Sequence, residues 1–124
     1  MRKESRKQLK FEVDFLKGIL ERNQNHVDCL KVLAHDYTRM GRYEEGLEMD
    51  LRLADLCAED PMVHYNLACS YSCTGNLDES VAELSRAILL GYSDFDHMRS
   101  DKDLTAVRKT EAFKELLEKK SALS

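Results

Sequence analysis

The chain has 124 residues and a formal net charge of −4, with 43% hydrophobic and 34% charged residues. That apolar content is too high for a disordered chain, and the acidic balance is wrong for gripping nucleic acid. No apolar run approaches the roughly 18 residues that a membrane-crossing helix needs.

Apolar residues recur at helical spacing throughout, with no sustained alternation of period two. A first helix is predicted over 4–22, with Leu9, Val13, Leu16 and Leu20 on one stripe and Phe11, Phe15 and Ile19 beside it. Its basic start (five bases and one acid in residues 1–10) reads as a solvated helix end or as a contact with an acidic partner. Acids follow at Glu12 and Asp14, so the start does not read as a secretory leader, and a cytoplasmic location is expected. Asn23-Gln24-Asn25 breaks the pattern. A second helix covers about 26–40 and stops at Gly41, a left-handed cap. A third covers about 43–58, in a stretch where residues 43–60 hold seven acids against one arginine.

Glu59-Asp60-Pro61 marks a boundary, with Pro61 in the first turn of a fourth helix, where its missing N–H costs nothing. That helix ends at Gly75-Asn76, and a fifth covers about 78–90. Tyr92 to Arg99 reads as an ordered loop carrying aromatic residues. Ser100 or Asp101 caps a short helix through about 109, and Thr110 caps a last one holding Phe113, Leu116 and Leu117. The tail after Lys119 is expected to fray.

The chain matches itself at a shift of 34 residues. Leu33-Ala34-x-x-Tyr37-x-x-x-Gly41 returns as Leu67-Ala68-x-x-Tyr71-x-x-x-Gly75, and the match continues at Glu45/Glu79, Arg52/Arg86 and Leu56/Leu90. Such a period marks a solenoid, whose repeats bury their apolar faces only by stacking. Shifted backwards, the first helix falls in phase with the second helix of a repeat, and no first helix precedes it. Shifted forwards, the pattern fails, because Lys102 falls where Ala34 and Ala68 call for a small residue.

These positions, with Ala87, resemble the tetratricopeptide repeat (TPR) family. The expected fold is all-α, a right-handed superhelix in one domain over 1–124. It would hold a half repeat at 8–22, full repeats at 27–60 and 61–92, and a capping segment at 93–120. Residues 94–117 look like a closing segment of some bacterial members, and they would cover Leu84 and Ile88. The sequence departs from the family at Leu30 and His64, where an aromatic residue is usual. Gly46 and Ser80 replace the alanine of the second helix, and Asp50 stands at a bulky apolar position.

The resemblance implies a protein-binding module with a concave peptide groove lined by the first helices. By phase, Asp28, Lys31, His35, Thr38 and Arg39 line it from one repeat. Met62, Tyr65, Asn66, Cys69, Ser72 and Cys73 line it from the next. Lys31, His35 and Arg39 form a basic row able to receive an anionic group, or simply a solvated face. In some members lysine and asparagine residues grip a C-terminal carboxylate; Lys31 and Asn66 fit two such places, while His35 replaces a third. The alternative surface is the strip Phe11, Phe15 and Ile19. Lacking its partner helix, it would bind a second copy or another helix, unless residues 1–8 or a bend shield it.

Chemistry is not expected. No nucleophile–base arrangement or glycine-rich phosphate loop is present, and His26, His35, His64 and His97 lack evident catalytic partners. Cys29, Cys57, Cys69 and Cys73 lie within helical patterns and read as free thiols packed as small hydrophobes. Cys69 and Cys73 lie one turn apart, without histidines at metal-binding spacing. No enzyme activity, cofactor, metal, nucleic acid or membrane partner is therefore expected, and the partner is a protein or peptide.

Overall fold

The computed structural model describes the backbone of residues 3–123 and the side chains of residues 5–119. Met1 and Arg2, which open the basic segment, and Ser124 lie outside the described residues. Contacts divide the chain between Leu56 and Cys57 into two compact units.

The first unit holds α1 (Lys3–Arg22), α2 (Val27–Arg39) and α3 (Tyr43–Leu56). Leu9, Val13 and Leu20 of α1 are buried, as are Leu30, Leu33, Ala34 and Tyr37 of α2 and Leu47, Met49 and Leu53 of α3. At the polar break the Asn25 N–H donates to Asn23 Oδ1, and His26 caps α2 by accepting the Cys29 N–H on Nδ1 at 3.1 Å. Asp50 is buried and is not free of partners, although the repeat register calls for a bulky apolar residue.

The second unit holds α4 (Pro61–Cys73), α5 (Leu77–Leu89), α6 (Phe95–Ser100), a 3-10 turn (Lys102–Leu104), α7 (Thr105–Arg108) and α8 (Glu111–Leu123). Asp60 caps α4 through the Met62 N–H at 2.9 Å, with Pro61 in the first turn as the sequence requires. Residues 95–99, read from the sequence as loop, are helical with Ser100 because Asp94 accepts the His97 N–H at 3.1 Å and starts a turn. Asp101 caps the 3-10 turn and Thr110 caps α8. Helix α8 continues through Leu123, so the frayed tail expected after Lys119 is replaced by helix.

The repeated motif has a clear backbone purpose. Gly41 and Gly75 adopt positive φ of 74° and 80°. The next N–H then reaches back five residues, from Arg42 to the Tyr37 carbonyl and from Asn76 to the Tyr71 carbonyl, each at 2.8 Å. This left-handed closure ends a first helix and turns the chain into the second. In each hairpin the helices then meet at a small residue. A Cβ on Gly46 would lie 3.5 Å from the Ala34 carbonyl oxygen. The equivalent Ser80 hydroxyl donates to the Ala68 carbonyl at 2.7 Å.

Residues 92–117 close the second unit. Tyr92, Met98, Leu104, Val107 and Phe113 form one core with Tyr65, Ala68, Leu84 and Ala87, and Ile88, Leu116 and Leu117 pack around it. Leu84 is thereby fully covered, as the closing role of this segment requires. His64 is also buried, with Nδ1 2.7 Å from Glu83 Oε2 and Nε2 2.7 Å from the Ala58 carbonyl.

Candidate functional site

The α4 face assigned to a peptide groove is already occupied by the chain itself. Tyr65 stacks on Tyr92 and donates its hydroxyl to Asp101 Oδ2 at 2.7 Å. Ser72 Oγ accepts the Val107 N–H at 3.3 Å, and the Cys73 thiol points to the Asp103 carbonyl. Cys69 lies 3.8 Å from Asp101 Oδ2. Tyr65, Cys69 and Ser72 are buried, and only Met62 and Asn66 of this set remain exposed. The assignment of Tyr65, Cys69 and Ser72 to an open groove is therefore corrected: the closing segment satisfies their polar atoms and covers their apolar ones. The repeat phase told which way these side chains point and could not tell that residues 92–107 return over them.

On α2, Lys31, His35 and Arg39 are exposed as expected and Thr38 is half-buried. The Thr38 hydroxyl donates to the Ala34 carbonyl at 3.0 Å, so that proton is committed within the helix. What remains is a basic row on one helix.

Helix α1 carries a different surface. Phe11 is 74% and Phe15 63% exposed, while Ile19 is half-buried. Among the described residues neither a bend of α1 nor a neighbouring segment shields the two rings. They line an open, mainly apolar depression of about 410 Å³ with Lys7, Gln8 and Glu12.

The register gives this face its meaning. Shifted by 34 and by 68 residues, Glu12 falls on Gly46 and Ser80, the points where a first helix comes closest to its second. A glutamate cannot be accommodated at that approach. Helix α1 therefore lacks the small-residue seat of the other hairpins and carries an acid between two phenylalanines instead.

Behind Glu12 lies Asp36 of α2, 2% exposed, whose Oδ2 accepts no hydrogen bond from the described residues. Burial, and then the adjoining Glu12 carboxyl, push Asp36 up to about 7; Arg39 opposes this more weakly. Sequence reasoning singled out Asp50 and passed over Asp36. The available signal was its repeat equivalent, Ser70, on the same inward face of α4.

Cys29 and Cys73 are poorly placed for redox chemistry. Burial, then Asp103 and Asp101, raise Cys73 to about 11, and burial raises Cys29. Among the described residues no group of three metal-ligating side chains converges, and no helix is long and apolar enough to cross a membrane.

No family model matches the chain. It is 32% identical over 110 residues to a protein of Arabidopsis thaliana that is chloroplastic by name, a match covering 84% of this chain and 31% of the relative. The chain thus spans under a third of that relative's length. Among solved structures it is similar to MamA from Desulfovibrio magneticus RS-1 (residues 41 to the end), with a TM-score of 0.66 at 16% identity. That match covers 96% of this chain and 70% of the solved MamA chain. A MamA double mutant matches equally well, with a TM-score of 0.66 at 17% identity over 94% of this chain and 68% of the other. The fold is all-α and TPR-like, built of helical hairpins.

Proposed function

We propose that the chain is a non-enzymatic protein-binding module that takes its partner on the α1 face, with Phe11 and Phe15 as the apolar anchors. The observation that carries this reading is their exposure beside an open depression, while most of the α4 face expected to line a peptide groove is buried beneath the closing segment. Two phenylalanines left in water on one helix face are costly unless something covers them, at roughly 1.5–3 kcal/mol each when buried. The basic row Lys31, His35 and Arg39 is a secondary surface for an anionic segment.

A second reading, favoured by the same unpartnered face, is pairing between two copies through Phe11, Phe15 and Ile19. As to compartment, the sequence points to the cytoplasm, whereas the Arabidopsis relative carries a chloroplast label. We place the chain in a thiol-reducing environment, which suits its four free cysteines.

Capture of partners from a native extract separates the surfaces. Phe15→Asp is expected to abolish capture and Lys31→Glu to leave it intact, whereas the reverse pattern would move the binding face to α2. Light scattering over a concentration series tests self-pairing: a mass that rises with concentration and is reset by Phe15→Asp supports it, and a constant monomer mass rejects it.

A further inference from the structure

Resting on the α1 face as the binding surface, we propose that the partner is an amphipathic helix carrying a lysine or arginine. Its alkyl stem lies between Phe11 and Phe15, and its cation meets the carboxyls of Glu12 and Asp36. Three observations converge on this chemistry. Glu12 replaces the small residue at which the other hairpins close, so a partner cannot seat its backbone against α1 as α2 does on α3. It must span the gap with a long side chain. The depression sets Phe11 and Phe15 beside Glu12, with Lys7 and Gln8 completing its lining, and two rings next to an acid suit an aliphatic stem ending in a cation. Finally, Asp36 is a nearly fully buried carboxyl that shares a hydrogen bond with Glu12 and leaves Oδ2 without a partner among the described residues, so a cation would relieve the repulsion between the two acids.

The charged groups facing Asp36 are Glu12 from α1 and Arg39 from its own helix. Arg39 is exposed and only partly offsets the pair. A docked cation favours the ionised form of Asp36, so binding releases a proton and strengthens as the pH rises through neutrality. Non-specific attraction of a basic peptide to an acidic protein would not depend on one buried carboxyl.

The test uses three fluorescein-labelled amphipathic helical peptides of about 18 residues with one common leucine face and lysine, glutamine or glutamate on the flanks. Anisotropy titrations are run with the whole chain. The Leu/Lys peptide is expected to bind most tightly, to weaken about tenfold with Asp36→Asn or Glu12→Gln, and to gain affinity from pH 6 to pH 8. Asp36→Asn is expected to flatten that pH dependence, and Glu44→Gln, an exposed acid on α3, to change nothing. Equal binding of all three peptides, lost with Phe15→Asp, would overturn the cation while keeping the face. Binding of the Leu/Lys peptide indifferent to Phe15→Asp would overturn the face itself.

Discussion

Tyr65 lies face to face with Tyr92, their ring centroids 4.4 Å apart and their planes within 6° of parallel. The pair joins the middle of α4 to the first residue of the closing segment, and the Tyr65 hydroxyl carries the link on to Asp101. A residue expected to greet a peptide is instead the hinge on which the chain closes its own second unit. Tyr92→Ala removes the stack and opens a cavity, at a cost of about 3–5 kcal/mol. Urea unfolding should show this loss, and Cys69 should become reactive to a thiol reagent at lower urea than in the parent.

The buried carboxyl makes stability depend on pH in a definite direction. Asp36 in the folded chain holds its proton up to about 7, against an ordinary value of 3.8. Between those values the folded state binds more protons than the unfolded one. Its contribution is thus fully favourable below about 3.8 and is lost progressively as the pH rises from there to about 7. Asp36→Asn should therefore stabilise the chain by about 1–3 kcal/mol at pH 8 and hardly at all at pH 3. Unfolding midpoints of the two chains at both pH values check the sign.

Three positions in the first unit have opposite tolerances to a change of size. A Cβ on Gly18 meets nothing within 4 Å, so Gly18→Ala should stabilise α1 by about 0.5–1 kcal/mol. Gly46 lies against Ala34 and Thr38, so Gly46→Glu, which copies Glu12 into a closed hairpin, should cost at least about 1–3 kcal/mol. Glu12→Gly should be nearly neutral for folding beyond its helix penalty. Thermal unfolding of the three variants measures this contrast.

Removing the buried His64 ring takes away the partner of the half-buried Glu83 carboxylate and of the Ala58 carbonyl. His64→Ala should destabilise the second unit by about 1–3 kcal/mol, the range for losing a part-buried hydrogen-bonded group. Hydrogen exchange should locate the loss in α4 and α5 and leave α1 and α2 unchanged.

The repeats were legible because their chemistry is local. The Tyr-x-x-x-Gly spacing encodes a backbone closure that needs only a left-handed glycine and a carbonyl five residues before the next N–H, so Gly41 and Gly75 announce the hairpins. The exposed phenylalanines of α1 were legible too, since the register places them on the face that a first helix of the repeat would cover. The α4 face was not, because the return of Tyr92, Asp101 and Val107 onto Tyr65 and Ser72 is a long-range contact with no periodicity. Asp36 escaped for a related reason: a lone acid on a helix looks solvated until the packing of a neighbouring helix removes the water around it.

The most direct measurement is an amide chemical-shift map of the whole chain titrated with the Leu/Lys peptide. The account predicts that shifts concentrate on residues 7–19 of α1 and around Asp36, with Tyr65, Cys69 and Ser72 silent. Shifts centred on Lys31, His35 and Arg39, with Phe11 and Phe15 unmoved, would contradict it.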